Sequence, residues 1–125
     1  MRLWIVAGLL SLIPGTALAT TPAPPDAALA EHGRTLYESR CGACHSIQEN
    51  RTGPKHLGVV GRRAGSVPGY DYSDALKAAG FVWTPQKIDQ WLQGPSRLVP
   101  GTKMFFTVSD PADRAAIIAY LKVAR

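Results

Sequence analysis

The sequence predicts an all-α fold, with about four short helices strung on long glycine-rich loops. Two observations carry that expectation. Apolar residues recur at helical spacing in separate stretches. Between Ile47 and Tyr72 the chain is punctuated by Gly53, Pro54, Gly58, Gly61, Gly65, Pro68 and Gly69, without the alternation a sheet needs. A third observation sharpens the picture. About a hundred residues with so little regular structure make a thin core, and loops this long are unusual in a compact domain unless something packs against them. The loops are therefore expected to wrap a bound apolar group.

The elements follow in chain order. Residues 1–19 read as a secretory signal peptide: Arg2 is a basic start, Leu3 to Leu12 an apolar run, and Ala17-Leu18-Ala19 a small-residue cleavage pattern. The apolar run is about half of what a membrane-spanning helix needs, so cleavage after Ala19 is expected over an uncleaved anchor. Residues 20–26, beginning Thr20-Thr21-Pro22-Ala23-Pro24-Pro25, read as a flexible leader, and 27–125 as the folded domain. Asp26 is expected to cap a helix running to about Arg40, with Leu29, Ala30, Gly33, Leu36 and Tyr37 on one face. Gly33 costs such a helix about 1 kcal/mol against alanine, which is best explained by another backbone approaching closely there. Ser73 to Ala79 suits a short helix stopped by Gly80. Thr84 caps the next, with Pro85 at its first position, Ile88, Trp91 and Leu92 inward, and Gly94 past its end. Asp110-Pro111-Ala112-Asp113 opens the last helix, whose Ile117, Tyr120, Leu121 and Ala124 share a face.

Charge narrows the partners. The net charge of +5 falls to +4 once Arg2 is removed, and it is spread along the chain. No Lys/Arg-rich block of the nucleic-acid-binding kind is present. A mild positive field suits transient docking to acidic protein surfaces. The chain has two cysteines, both in Cys41-Gly42-Ala43-Cys44-His45. Export would place them in an oxidising compartment, where they must form a disulfide, a metal site or a covalent attachment.

Cys-x-x-Cys-His at the end of a helix is the attachment sequence for c-type haem. Two thiols one helical turn apart can reach both vinyl groups of one porphyrin, and the adjacent His45 is then aimed at the iron. A thioredoxin-like dithiol is the main rival, but it sits in a strand-then-helix unit. Zinc would require two further ligands. After signal cleavage Met104 is the one remaining methionine, in Val99-Pro100-Gly101-Thr102-Lys103-Met104-Phe105. Methionine is commonly core filler; beside a haem it is the leading candidate for the second axial ligand. His32 and His56 compete for that place, and both are expected to be solvated. His45 and Met104 together would close the iron to substrate and oxygen, and the soft thioether would favour ferrous iron. Leu57, Val59, Leu92, Leu98, Phe105 and Ile118 are candidates for the apolar pocket. Arg40, Arg51, Lys55, Arg97 and Lys103 are candidates for a basic ring around the exposed edge. The function expected is single-electron transfer. A haem peroxidase-like enzyme and a haem-free thiol–disulfide oxidoreductase are the alternatives.

From Gly33 to Tyr120 the sequence resembles the class I cytochrome c family, the small bacterial monohaem and mitochondrial carriers. Gly33 and Tyr37 resemble the family's N-terminal helix motif, and Tyr120-Leu121 its C-terminal partner. Pro100 to Met104 is similar, nearly letter for letter, to the family's methionine loop. The resemblance implies the cytochrome c fold and one haem c, covalent through Cys41 and Cys44. It implies that the Pro54 carbonyl accepts from His45, that Arg62, Tyr72 and Trp83 contact the haem propionates, and that Thr102 belongs to the haem-binding set. Trp91 stands where many relatives have a tyrosine bonded to the methionine sulfur, and Leu76 where many have an asparagine, so the family's usual potential is not carried over. The segment from His45 to Pro54 is shorter than in mitochondrial relatives, which favours a bacterial, periplasmic protein. The resemblance further implies a monomeric soluble carrier without catalytic residues. It would run between membrane complexes or dehydrogenases and an oxidase or other acceptor, meeting redox partners at the exposed haem edge.

Overall fold

The computed structural model describes residues 23–125. The signal peptide expected over 1–19 and the start of the leader lie outside them. Among the described residues five helices follow one another: α1 Pro25–Arg40, α2 Asp74–Lys77, α3 Pro85–Gln93, α4 Pro95–Leu98 and α5 Pro111–Val123. Among the described residues the extended pairing is limited to one isolated bridge, between Arg63 and Val82.

Local chemistry explains most boundaries. Thr84 accepts from the Lys87 amide and Asp110 from those of Ala112 and Asp113, with Pro85 and Pro111 in the first turns behind them. Ser73 accepts from the Leu76 amide, and α2 is shorter than its pattern, ending at Lys77. The start of α1 differs from expectation. Pro24 occupies the cap position with no side-chain bond, and Asp26 lies inside the first turn rather than before it. Pro25 therefore begins a helix in the place where the leader was expected to continue, because a proline at the first helical position loses no hydrogen bond. The unforeseen α4 arises because Gly94 both ends α3 and precedes Pro95.

The first and last helices cross, and α3 packs on α5. At the crossing a Cβ on Gly33 would overlap the Ala116 carbonyl, so the close backbone approach expected there is present. Buried Arg114 on α5 donates to Asp89 of α3 at 2.7 Å and to the carbonyls of Val108 and Ser109, tying the incoming loop to both helices. The 47–72 loop is held by backbone bonds to the α2–α3 connection: Gly61 to Trp83 O, Trp83 to Arg62 O and Ala64 to Phe81 O, each 2.8–2.9 Å. These bonds set Arg62 beside Trp83. No helix among the described residues is long and apolar enough to cross a membrane.

Candidate haem site

Helix α1 ends at Arg40 with Cys41 as its cap, and the chain turns at once: the amides of Cys44 and His45 both donate to the Cys41 carbonyl. That turn presents both cysteines and His45 to a cavity of about 530 Å³ between the helices and the long loops. The volume is in the range of sites for drug-sized ligands. The ten residues expected to attach, ligate or contact a haem all line it: Cys41, Cys44, His45, Pro54, Arg62, Tyr72, Trp83, Trp91, Thr102 and Met104.

His45 is held closely. Its Nδ1–H donates to the Pro54 carbonyl at 2.8 Å. A carbonyl only accepts, so the proton is on Nδ1 and the Nε2 lone pair is left for a metal. Burial pushes the His45 pKa down, the Pro54 bond partly opposing, which keeps the imidazole in its neutral, ligating form. A Cβ on Gly53 would overlap the His45 ring, so only glycine allows this approach. Met104 enters the same cavity from the turn Val99-Pro100-Gly101-Thr102, closed by the Thr102 amide on Val99 O. Its sulfur accepts from Trp91 Nε1–H at 3.3 Å. The tryptophan thus keeps a polar partner for the sulfur where the sequence departs from the family's tyrosine. Trp91 also meets Trp83 edge-on at 5.2 Å.

Arg62 donates to the carbonyls of Leu57 and Lys55 at 2.8 and 3.0 Å, while its buried Nε has no partner. An unsatisfied buried donor on a cationic group is costly, and an anionic substituent of a bound porphyrin would satisfy it. Tyr72 accepts from the Val67 amide, which fixes its ring at the cavity wall. The residues fit a c-type haem: paired thiols, an oriented imidazole, a thioether and an orphaned cationic donor meet in one apolar chamber. The rival readings lack their requirements. Burial pushes the Cys41 thiol up to about 11, opposite to the activated thiolate of an oxidoreductase. No group of three or more His, Cys, Asp or Glu among the described residues could hold a metal unaided.

Three expectations need correction. His56 is not solvated: its ring stacks on His45 at 4.1 Å and is hydrogen-bonded to Tyr37. Leu57, Leu98 and Ile118 do not line the cavity; Leu57 is exposed, while Ile118 is buried beside a separate groove. Ile88, Ile117 and Leu121 line it instead, brought there by the α3–α5 packing. Phe105 lines the cavity at its mouth and is 78% exposed. The basic ring is partly neutralised, because Arg40 pairs with Asp113 and Lys103 with Asp71. His56 could have been suspected from Tyr37, a tyrosine on a buried helix face whose hydroxyl needed a partner.

Comparison with known proteins agrees with this chemistry. Residues 30–124 match the family model for cytochrome c. The chain is 48% identical to cytochrome c from Euglena viridis, over 77% of this chain and 97% of that one. It is 43% identical to cytochrome c2 from Rhodopila globiformis, over 74% of this chain and 91% of that one. Among solved structures it is similar to cytochrome cH from Methylobacterium extorquens, with a TM-score of 0.71 and 46% identity, covering 74% of this chain and 96% of that one. The chain belongs to the cytochrome c family, and is a haem electron carrier rather than an enzyme, with one haem c attached through Cys41 and Cys44.

Proposed function

We propose that this carrier uses His45 and Met104 as the two axial ligands of its haem and shuttles single electrons between redox proteins that dock at the cavity mouth. The observation that carries the reading is the pairing of two oriented donors on one cavity: His45 Nδ1–H on Pro54 and Trp91 Nε1–H on the Met104 sulfur. The haem supplies one-electron chemistry at iron. The protein residues prepare it: Pro54 keeps Nε2 of His45 unprotonated, and Trp91 occupies one sulfur lone pair and leaves the other directed elsewhere. Arg62, Tyr72, Trp83 and Thr102 form the polar and aromatic wall proposed to meet the propionates. His56 is a poor candidate for the second ligand, since a ring stacked on His45 cannot approach trans to it. The peroxidase-like alternative is disfavoured for the same reason: of the three histidines, His32 is exposed on α1 and His56 sits on His45, so neither serves Met104's side.

The expected biological setting is a soluble, monomeric periplasmic carrier, exported by a signal peptide over 1–19. It would pass electrons from membrane complexes or dehydrogenases to an oxidase or other acceptor. The test of the ligand set is a redox titration of the visible spectrum with the weak near-infrared band of methionine bound to ferric iron. A single one-electron wave with that band present is expected; a ferric protein without the band refutes Met104 ligation. Docking to acidic partners rests on Arg51, Lys55 and Arg97, which make no ion pair among the described residues. Electron-transfer rates to an acidic partner should fall steeply as salt rises; a salt-independent rate refutes this mode of docking.

A further inference from the structure

His56 stands out as a polar group that the proposed redox chemistry does not use. It lies on the loop just past Pro54, with its imidazole stacked on His45 at 4.1 Å and an interplanar angle of 20°. Its Nδ1 is hydrogen-bonded to the Tyr37 hydroxyl at 3.0 Å. Tyr37 is buried on α1, one helical turn before Cys41, and its ring packs on Tyr120 of α5 at 5.3 Å. The His56 ring is thereby referenced to the α1–α5 crossing, the most extensive helix–helix contact among the described residues.

The Pro54 hydrogen bond fixes one ring nitrogen of His45 and the Gly53 backbone lies close to the ring, yet neither contact is a flat surface that stops its plane from swinging. A flat partner against its face removes the swing. For an imidazole bound to iron, the direction of its plane sets which porphyrin axis receives its π overlap, and so how unpaired spin spreads over the ring in the ferric state. We propose that His56, anchored by Tyr37, is a positioning residue that fixes the rotation of the His45 imidazole and thereby the electronic asymmetry of the haem. This rests on His45 being an axial ligand.

The test is proton NMR of the ferric holoprotein, reading the four haem-methyl resonances in wild type, His56→Leu, His56→Phe and Tyr37→Phe. His56→Leu should reorder these resonances or narrow their spread. His56→Phe, which keeps a flat ring on His45, should restore most of the wild-type pattern. Tyr37→Phe, which removes one oxygen, should move the pattern in the same direction as His56→Leu but less. Should His56→Leu fail to yield holoprotein, Tyr37→Phe decides alone. An unchanged methyl pattern in the variants that fold, with the iron-shifted ring protons of His45 present, overturns the positioning role. Absence of those ring protons in wild type overturns the ligand assignment and the positioning role together.

Discussion

The His45 and Met104 sides of the cavity are built on different principles. His45 is constrained from several directions: a 2.8 Å bond to Pro54, the backbone of Gly53, and the stacked His56. Met104 has one directional contact, the 3.3 Å bond from Trp91, and is followed by the exposed Phe105. One side is over-determined and the other is held by a single soft bond. The lesson is that the imidazole side sets geometry, while the thioether side can be tuned without dismantling the site.

The largest test of that contrast is Gly53→Ala. The new methyl would overlap the His45 ring, which the Pro54 bond holds in place, so stability of the holoprotein should drop by about 3 kcal/mol, read by denaturant unfolding with the visible spectrum as probe. A loss below about 1 kcal/mol would mean the His45 side is looser than its contacts indicate. Trp91→Phe should act more gently. Its N–H draws electron density from the sulfur, so its removal makes the thioether a better donor to ferric iron and lowers the midpoint potential. A hydrogen bond of about 1 kcal/mol corresponds to about 40 mV for one electron, measured by spectroelectrochemistry. A rise in potential would refute the sign of this account. The smallest effect concerns Tyr37. Burial raises its pKa from 10.0, so the folded protein keeps the phenol neutral where the unfolded chain already ionises. Stability from this source is fully present below pH 10 and is lost as pH rises through the folded value. Tyr37→Phe should lessen the decline in unfolding free energy above pH 10; an identical slope in the variant would place the ionisation elsewhere.

Much of this was legible because it is local. The caps at Thr84 and Asp110 and the Cys41–His45 motif are decided by neighbours in sequence, and each appears as the sequence predicts. The close approach at Gly33 was readable for a related reason, since a glycine on a helix face points to a backbone opposite. The missed features depend on partners distant in the chain. Tyr37 and His56 are 19 residues apart, and Lys103 and Asp71 are 32 apart, so neither pairing has a periodic signature. The start of α1 was missed for a different reason. A proline-rich stretch suggests extended chain, yet one proline at the first helical position is compatible with a helix, because its missing N–H has no helical partner to lose.

The crossing at Gly33 has a consequence for how the protein fails. It joins the first and last helices, so the described chain is a belt around its cavity, and that glycine is the buckle. Slackening the buckle exposes the pigment to water but cannot set it adrift, because two thioether welds secure it just beyond the end of α1. Each re-closing then begins with the pigment already aboard, so a carrier opened by heat or strain can recover without a fresh supply of haem.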